Sequence, residues 1–279
     1  MAVVSLEELH LFHDTDREVF SKLVITLMRD PAESLLVVAT WLWLEDVGYP
    51  NIIVKMADLL NSVVNALADE AVLALKCLES NTFPRLTGGG LSLTSRLMDK
   101  NISLGMFVQN KFTAISGIKN FLNTVCSRIF TDILQHVIAG KSAVMSIGQP
   151  LLVPGFPHPV FGNVIILPRA VDNEFPTGGL WGWEANNNIT EDERTMFLTF
   201  SRGFPVTKEE VTDLFTENFG DIVVSVQMQD NVSSDEQPLF AKMVLRNIKA
   251  VDRVLNGQRI AKFRVNGKHI WARKYERRD

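Results

Sequence analysis

The sequence predicts an α+β protein of two domains, an all-α helical array followed by a C-terminal βαββαβ domain. Three observations lead to this prediction. Apolar residues recur at helical spacing through most of residues 1–140. In residues 194–279 short apolar runs alternate with polar residues, which is typical of half-buried strands. Residues 141–193 are rich in proline and glycine, so we expect an irregular connector there.

Composition limits the classes of protein that this chain can belong to. Its 279 residues leave room for two domains, and 46% hydrophobic content with a net charge of −4 indicates a folded chain. Cys77 and Cys126 stand among apolar residues, and we predict buried, reduced thiols. No signal-type segment opens the chain, so we predict a location in the nucleus or the cytoplasm. The apolar run 35–44 is too short to cross a bilayer, and no membrane span is expected.

Several start signals predict the helices of the first domain. Two pairs with capping-box spacing and one cap followed by proline stand out: Ser5 with Glu8, Thr15 with Glu18, and Asp30 before Pro31. Residues 35–44 are apolar nearly all round, which predicts a buried central helix. Residues 51–80 predict one broken helix or two joined helices, and helical spacing returns over 91–139. We expect an array of about five to seven helices.

The connector has features of its own. Residues 160–167 have the composition of a strand, and Trp181 and Trp183 are too apolar to stay fully exposed. We therefore expect part of the connector to pack against one or both domains. The alternative is an exposed Gly-Trp hook for a partner.

No arrangement of residues predicts catalysis. We find no Ser-His-acid motif and no paired carboxylates that the sequence places in one cleft. His10, His13 and His136 have no partners at metal-ligand spacing. Three glycines at 88–90 lack the preceding strand and the Gly-Lys-Ser/Thr of a phosphate-binding loop. We predict no enzyme, no metal site and no cofactor.

The C-terminal elements follow from local patterns. A strand over 196–200 precedes a helix that begins after Thr207, with Glu210 at capping-box spacing, and ends at Gly220. A second strand over 222–229 has Ile222, Val224, Val226 and Met228 on its predicted core face. A third strand covers 238–245, and a second helix ends at Asn256-Gly257. Asn266-Gly267 then predicts a hairpin that pairs 262–265 with 268–275.

This stretch resembles an RNA-recognition motif (RRM), and most closely a group of plant proteins with a helical N-terminal region and a divergent RRM. Residues 196–201 are similar to the first-strand signature, whose second position is a base-stacking aromatic, here Phe197. Residues 238–245 occupy the third-strand signature, with Phe240 at its third position and Lys242 where the fifth is usually aromatic. Pro238-Leu239 replaces the usual basic-Gly pair. The resemblance implies a ferredoxin-like fold that binds single-stranded RNA through its sheet.

The charges and aromatic residues of this stretch also indicate binding of nucleic acid, independently of the resemblance. Between Lys242 and Arg278 the sequence contains twelve basic residues and two acidic ones, a local net charge of +10 that favours contact with phosphates. If the first and third strands are adjacent, Phe197 and Phe240 form a stacking platform. Phe200 is interpreted as core. The expected interface comprises Phe197, Thr199, Gln227, Phe240, Lys242, Lys268, Trp271 and Arg273.

Three functional hypotheses remain open at this stage. The first is an adaptor that binds single-stranded RNA, or DNA, through the RRM-like sheet and a protein partner through the helical domain. The second is a protein interaction module that no longer binds nucleic acid; its first helix is acidic, as in one such class, whose Arg-x-Phe element is not clearly matched by residues 259–261. The third is a helical assembly subunit that forms homo-oligomers.

Overall fold

The computed structural model describes residues 5–80, 90–139, 150–166, 189–230 and 237–277. The chain divides into two compact units. Met1–Phe107 and Ala114–Glu184 form the first unit, and Val108–Thr113 and Ala185–Asp279 form the second. The predicted mixture is confirmed, since the N-terminal region is helical and the C-terminal region holds an antiparallel sheet with helices. The domain bounds at 140 and 193 stay predictions.

Short helices make up the N-terminal region. Within residues 5–139 they are α1 (Leu6–Phe12), α2 (Asp14–Ser21), α3 (Pro31–Asp46), α4 (Ile52–Ala57), α5 (Asn61–Glu79), α6 (Ser92–Met98), α7 (Leu104–Gln109), α8 (Lys111–Phe121), α9 (Ser127–Ile129) and α10 (Thr131–Ala139). They are more numerous than the five to seven predicted. Two of them, α2 and α8, are continued by π-helical turns at Lys22–Thr26 and Leu122–Cys126.

The central helix of this region is α3. The Asp30 carboxylate accepts a hydrogen bond from the Glu33 amide, and Pro31 takes the first helical position, as the sequence predicts. Residues 35–44 are buried all round. The capping box of Ser5 is also confirmed. The one predicted for Thr15 is wrong, because α2 already begins at Asp14 and leaves Thr15 inside the helix.

The described parts of the predicted connector are residues 150–166, which belong to the first unit, and residues 189–193, which belong to the second, where Ile189 packs against its core. The strand predicted over 160–167 is replaced there by two isolated bridges, Leu151 with Ile166 and His158 with Gly162. Phe161 and Ile166 are nonetheless buried. Trp181 and Trp183 lie outside the described residues, as do the glycines at 88 and 89.

The second unit contains five strands and two helices that follow the predicted order. They are β1 (Thr195–Phe200), α11 (Lys208–Phe219), β2 (Val223–Met228), β3 (Phe240–Leu245), α12 (Ile248–Leu255), β4 (Ile260–Val265) and β5 (Lys268–Lys274). Thr207 caps α11 through a complete capping box with Glu210. The turn between β4 and β5 places Asn266 and Gly267 at φ 49° and 79°, the positive values that a two-residue hairpin requires.

The sheet is antiparallel, with strand order β2-β3-β1-β5-β4. Residues of one face enter the core of the unit together with Val211 and Phe215 of α11 and Val251 of α12. Phe200 is 6% exposed and belongs to this core, so its interpretation as core is confirmed. Because side chains alternate along a strand, the remaining residues lie on the opposite face, which we call the outer face.

One predicted core residue of β2 is misplaced. The register to β3 shifts between Val223 and Ser225, which pair with Leu245 and Val244. Val224 is therefore an extra residue in a β-bulge, and it is 53% exposed although the alternation placed it in the core.

The second unit includes the start of α8. The buried carboxylate of Asp252 on α12 accepts hydrogen bonds from the Phe112 amide at 3.0 Å and from the Thr113 amide and hydroxyl at 2.8 and 2.6 Å. Phe112 also packs against the core of the unit. Asp252 thus satisfies donors in the first turn of α8 that have no partner within the helix.

Candidate nucleic-acid interface

Two adjacent rows of cross-strand neighbours build the outer face. In the first row Phe197 of β1 stands between Lys242 of β3 and Arg273 of β5, and Gln227 of β2 lies beyond Lys242. In the second row Thr199 stands between Phe240 and Trp271. Direct partners in an antiparallel sheet share a face. Seven of the eight predicted interface residues are therefore brought onto one surface, with Lys268 as the exception.

The centre of this surface is a pair of phenylalanine rings. The Phe197 and Phe240 ring centroids lie 5.4 Å apart, and their planes are inclined by 23°. Both side chains are partly exposed. The Arg273 guanidinium carbon lies 4.6 Å from the centroid of Phe197, at cation-π distance. A ring face flanked by a second ring and a guanidinium can stack on the planar face of a base or of another aromatic group.

Lys242 makes a similar contact at the edge of the pair. Its ammonium lies 4.6 Å from the ring centroid of Tyr275, a residue that the sequence analysis did not include in the interface. Gln227 is exposed next to Lys242 and its side-chain amide lies 3.5 Å from the Asp230 carboxylate. The lysine at the position where the resembled motif has an aromatic therefore rests on an aromatic supplied by another part of the chain.

Trp271 extends the aromatic surface toward β4. Its ring lies 6.0 Å from that of His269, with an angle of 35° between the planes. His269 is exposed and Trp271 partly exposed. Thr199 separates Trp271 from Phe240 and contributes a small polar side chain between the two aromatic groups.

Lys268 does not belong to this surface, which corrects the prediction. It alternates in step with the buried Ile270 and Ala272, so its side chain leaves the sheet on the helix side. There its ammonium lies 2.7 and 2.8 Å from the two carboxylate oxygens of Glu210 on α11. This ion pair, with Asn266 and the Thr207 amide, lowers the pKa of Glu210 to about 2. Lys268 stands two residues before the apolar Ile270, and side chains two apart on a strand share a face, so the sequence could have excluded Lys268 from the interface.

Two cations and a histidine on the outer face were not predicted. Lys262 pairs with Trp271 and Arg264 with His269 across the hairpin, so both cations lie on the outer face and both are exposed. Both belong to the basic C-terminal stretch, for which no face was predicted. Because both alternate with Ala261, which is buried, the sequence pattern could have placed them on the face opposite the core.

The charges on the two faces of the sheet differ. On the helix side Lys268 is neutralised by Glu210, and just after β3 the exposed Arg246 is paired with Asp221. None of the outer-face residues on the five strands is acidic. Neither Lys262 nor Arg264 has an acidic partner among the residues that the structure describes. The outer face therefore combines aromatic rings with cations and is suited to an anionic ligand that has planar groups.

The described ranges contain no group of histidine, cysteine and carboxylate side chains that could hold a metal ion. None of the described helices is both long and apolar enough to span a membrane. We compared the chain with protein-family models, with curated proteins and with solved structures, and none of them matches it.

Proposed function

We propose that this protein is a non-enzymatic adaptor of the nucleus or cytoplasm that binds single-stranded nucleic acid, RNA in the first place, through an RRM-like, ferredoxin-like C-terminal unit. The observation that carries the proposal is the Phe197–Phe240 ring pair with Arg273 at 4.6 Å, on a sheet face whose strands carry no acidic residue. The strand and helix order and the position of this pair on the central strand β1 and its neighbour β3 support the resemblance to an RRM.

The physical argument rests on stacking and on charge. A base stacked on an aromatic side chain contributes about 1–3 kcal/mol, and every base offers a flat face, so the contact tolerates many sequences. Lys242 and Arg273 lie beside the rings and can neutralise the phosphates that accompany the bases. An unpaired strand is required because bases inside a duplex do not expose their faces.

The helical region supplies the second half of the adaptor. Helix α1 has no buried residue, and Leu11 and Phe12 are 77% and 43% exposed. Exposed apolar side chains clustered on one short helix support a protein contact, either to a different protein or to a second copy of this chain.

Binding is tested by fluorescence anisotropy with the full chain and a labelled oligouridylate across a range of salt concentrations. Phe197→Ala and Phe240→Ala are each expected to weaken binding roughly 5- to 150-fold, which corresponds to the loss of one stacked base. The affinity of the unaltered chain should fall steeply as salt rises, because phosphate contacts release counterions. The full chain is needed because Val108–Thr113 is part of the second unit.

Phe12→Ala is the control, since it removes an exposed phenylalanine ring from the first unit. It should leave the affinity for RNA unchanged. Circular dichroism verifies that each variant stays folded. Absence of binding by the unaltered chain at low salt would overturn the proposal, as would equal affinities of the Phe197→Ala and Phe12→Ala variants. The same titrations with oligodeoxythymidylate compare DNA with RNA.

One observation favours the alternative of a protein interaction module. Glu209, Asp213 and Glu217 are exposed on α11 and give it an acidic surface that a basic peptide could bind. Glu210 does not contribute, because it is bound to Lys268. This hypothesis predicts that the triple variant with alanine at these three positions loses a protein partner while its affinity for oligouridylate is retained.

A further inference from the structure

We infer that the β4–β5 hairpin forms a second binding site for nucleic acid, separate from the Phe197–Phe240 pair, at which Trp271 and His269 stack on bases while Lys262 and Arg264 bind phosphates. This inference rests on the proposed function. It adds that the ligand is a strand long enough to leave the central pair and continue over the edge of the sheet.

The register of the hairpin carries the inference. Lys262 lies directly opposite Trp271, and Arg264 lies directly opposite His269. Each cation is therefore next to one ring, on the face from which a base could approach. Ala261, Phe263 and Val265 of β4 point toward the core, where Ala261 is buried and the other two pack against the core cluster. The hairpin cannot turn over, because doing so would bring two cations into the core.

The second step concerns whether Lys262 and Arg264 already have partners in the protein. Arg273 and Lys242 rest on the rings of Phe197 and Tyr275, and Lys268 is paired with Glu210. Lys262 and Arg264 are exposed and make none of the ion pairs or ring contacts found among the described residues. Two unneutralised cations side by side on an edge strand repel each other, and two phosphates of one strand would neutralise both.

Distance separates this site from the central pair. Neighbouring strands lie about 4.8 Å apart, so β4 is roughly 10 Å from β1, which carries Phe197, and roughly 14 Å from β3, which carries Phe240. A dinucleotide that covers the central rings does not reach Lys262 and Arg264. A longer one does.

The experiment uses the full chain and two labelled oligouridylates, of about two and about twelve nucleotides. The variant K262A/R264A should bind the short one like the unaltered chain. Each single-strand phosphate contributes about 0.7 to the salt slope, so loss of two contacts should lower the slope for the long one by about 1.4 and its affinity at about 0.1 M salt roughly 25-fold. The control K208A/K249A removes the same charge from exposed positions on α11 and α12, and it should have a much smaller effect.

Three outcomes are distinguishable once thermal unfolding shows that the variants are folded. Selective loss of the long oligonucleotide supports the hairpin site. If K262A/R264A matches K208A/K249A with both lengths, while Phe197→Ala still weakens binding, the hairpin site is refuted and the proposed function stands. If the unaltered chain binds neither oligonucleotide, the proposed function fails and the hairpin site fails with it.

Discussion

Asp252 provides the sharpest test of how the second unit is held together. Its carboxylate is 6% exposed, and it accepts three hydrogen bonds from Phe112 and Thr113 at the first turn of α8. No basic side chain pairs with it among the described residues. The substitution Asp252→Asn keeps the shape and one acceptor oxygen and removes the titration.

The magnitude follows from the pKa. Burial raises the pKa of Asp252 to about 6, against the opposing effect of the hydrogen bonds from Thr113 and Phe112. An aspartate in an unfolded chain has a pKa of about 3.9. Between these two values the folded state binds the proton more tightly, so the free energy of unfolding falls as the pH rises. The total change is about 3 kcal/mol over the window from about pH 4 to about pH 6.

Urea unfolding at a series of pH values, followed through the NMR signals of β1 and β3 amides, measures this change for the second unit. The difference between the unaltered chain and Asp252→Asn should vary by about 3 kcal/mol across the window, since other titrating groups affect both proteins equally. Thr113→Val removes the hydroxyl donor to Asp252 and should raise the pKa of Asp252 further. If the two stability curves ran parallel from pH 4 to 7, the burial of an ionisable carboxylate at this position would be disproved.

Two further predictions concern stability. The partly exposed pair with Lys268 lowers the pKa of Glu210, so this pair stabilises the fold above about pH 4 and the stabilisation is lost as the pH falls toward 2. Glu210→Gln should remove this stabilisation, which is at most about 1 kcal/mol, and acid unfolding curves measure the loss. Gly117→Ala should lower the thermal stability of the first unit by about 1–3 kcal/mol or more, because its new Cβ would lie 2.2 Å from Trp43 Cδ1. Gly105→Ala, whose Cβ would have an ordinary 3.5 Å contact, is the calorimetric control.

Local patterns predicted the C-terminal elements well because each element has its own start and stop signal. Thr207 with Glu210 begins α11, and Asn266-Gly267 sets the hairpin, whatever the rest of the chain does. The resemblance, not a local pattern, placed Phe197 and Phe240 on neighbouring strands, and these two strands do pair. Features that depend only on residues within one turn or one strand could therefore be predicted from the sequence.

The features that sequence reasoning missed depend on distant partners or on irregular backbone. No periodicity reveals that Asp252 receives donors from Thr113, which lies 139 positions earlier in the chain. The bulge at Val224 reverses the alternation on which the prediction of β2 relied. In α2 and α8, π-helical turns change the helical period. The acid partner of Lys268 lies 58 positions away, so the lysine looked free in the sequence.

The energetics of the outer face explain why the central rings need support from their surroundings. Two bases stacked on Phe197 and Phe240 contribute about 2–6 kcal/mol together, whereas association costs at least about 4 kcal/mol in lost translational and rotational freedom. A base that stacks on Phe197 from the side of Arg273 must also displace the guanidinium or be enclosed by it. Stacking on this pair alone therefore gives weak binding at best. Useful affinity requires additional phosphate contacts, which Lys242 beside the rings and the exposed cations of β4 on the same face can provide.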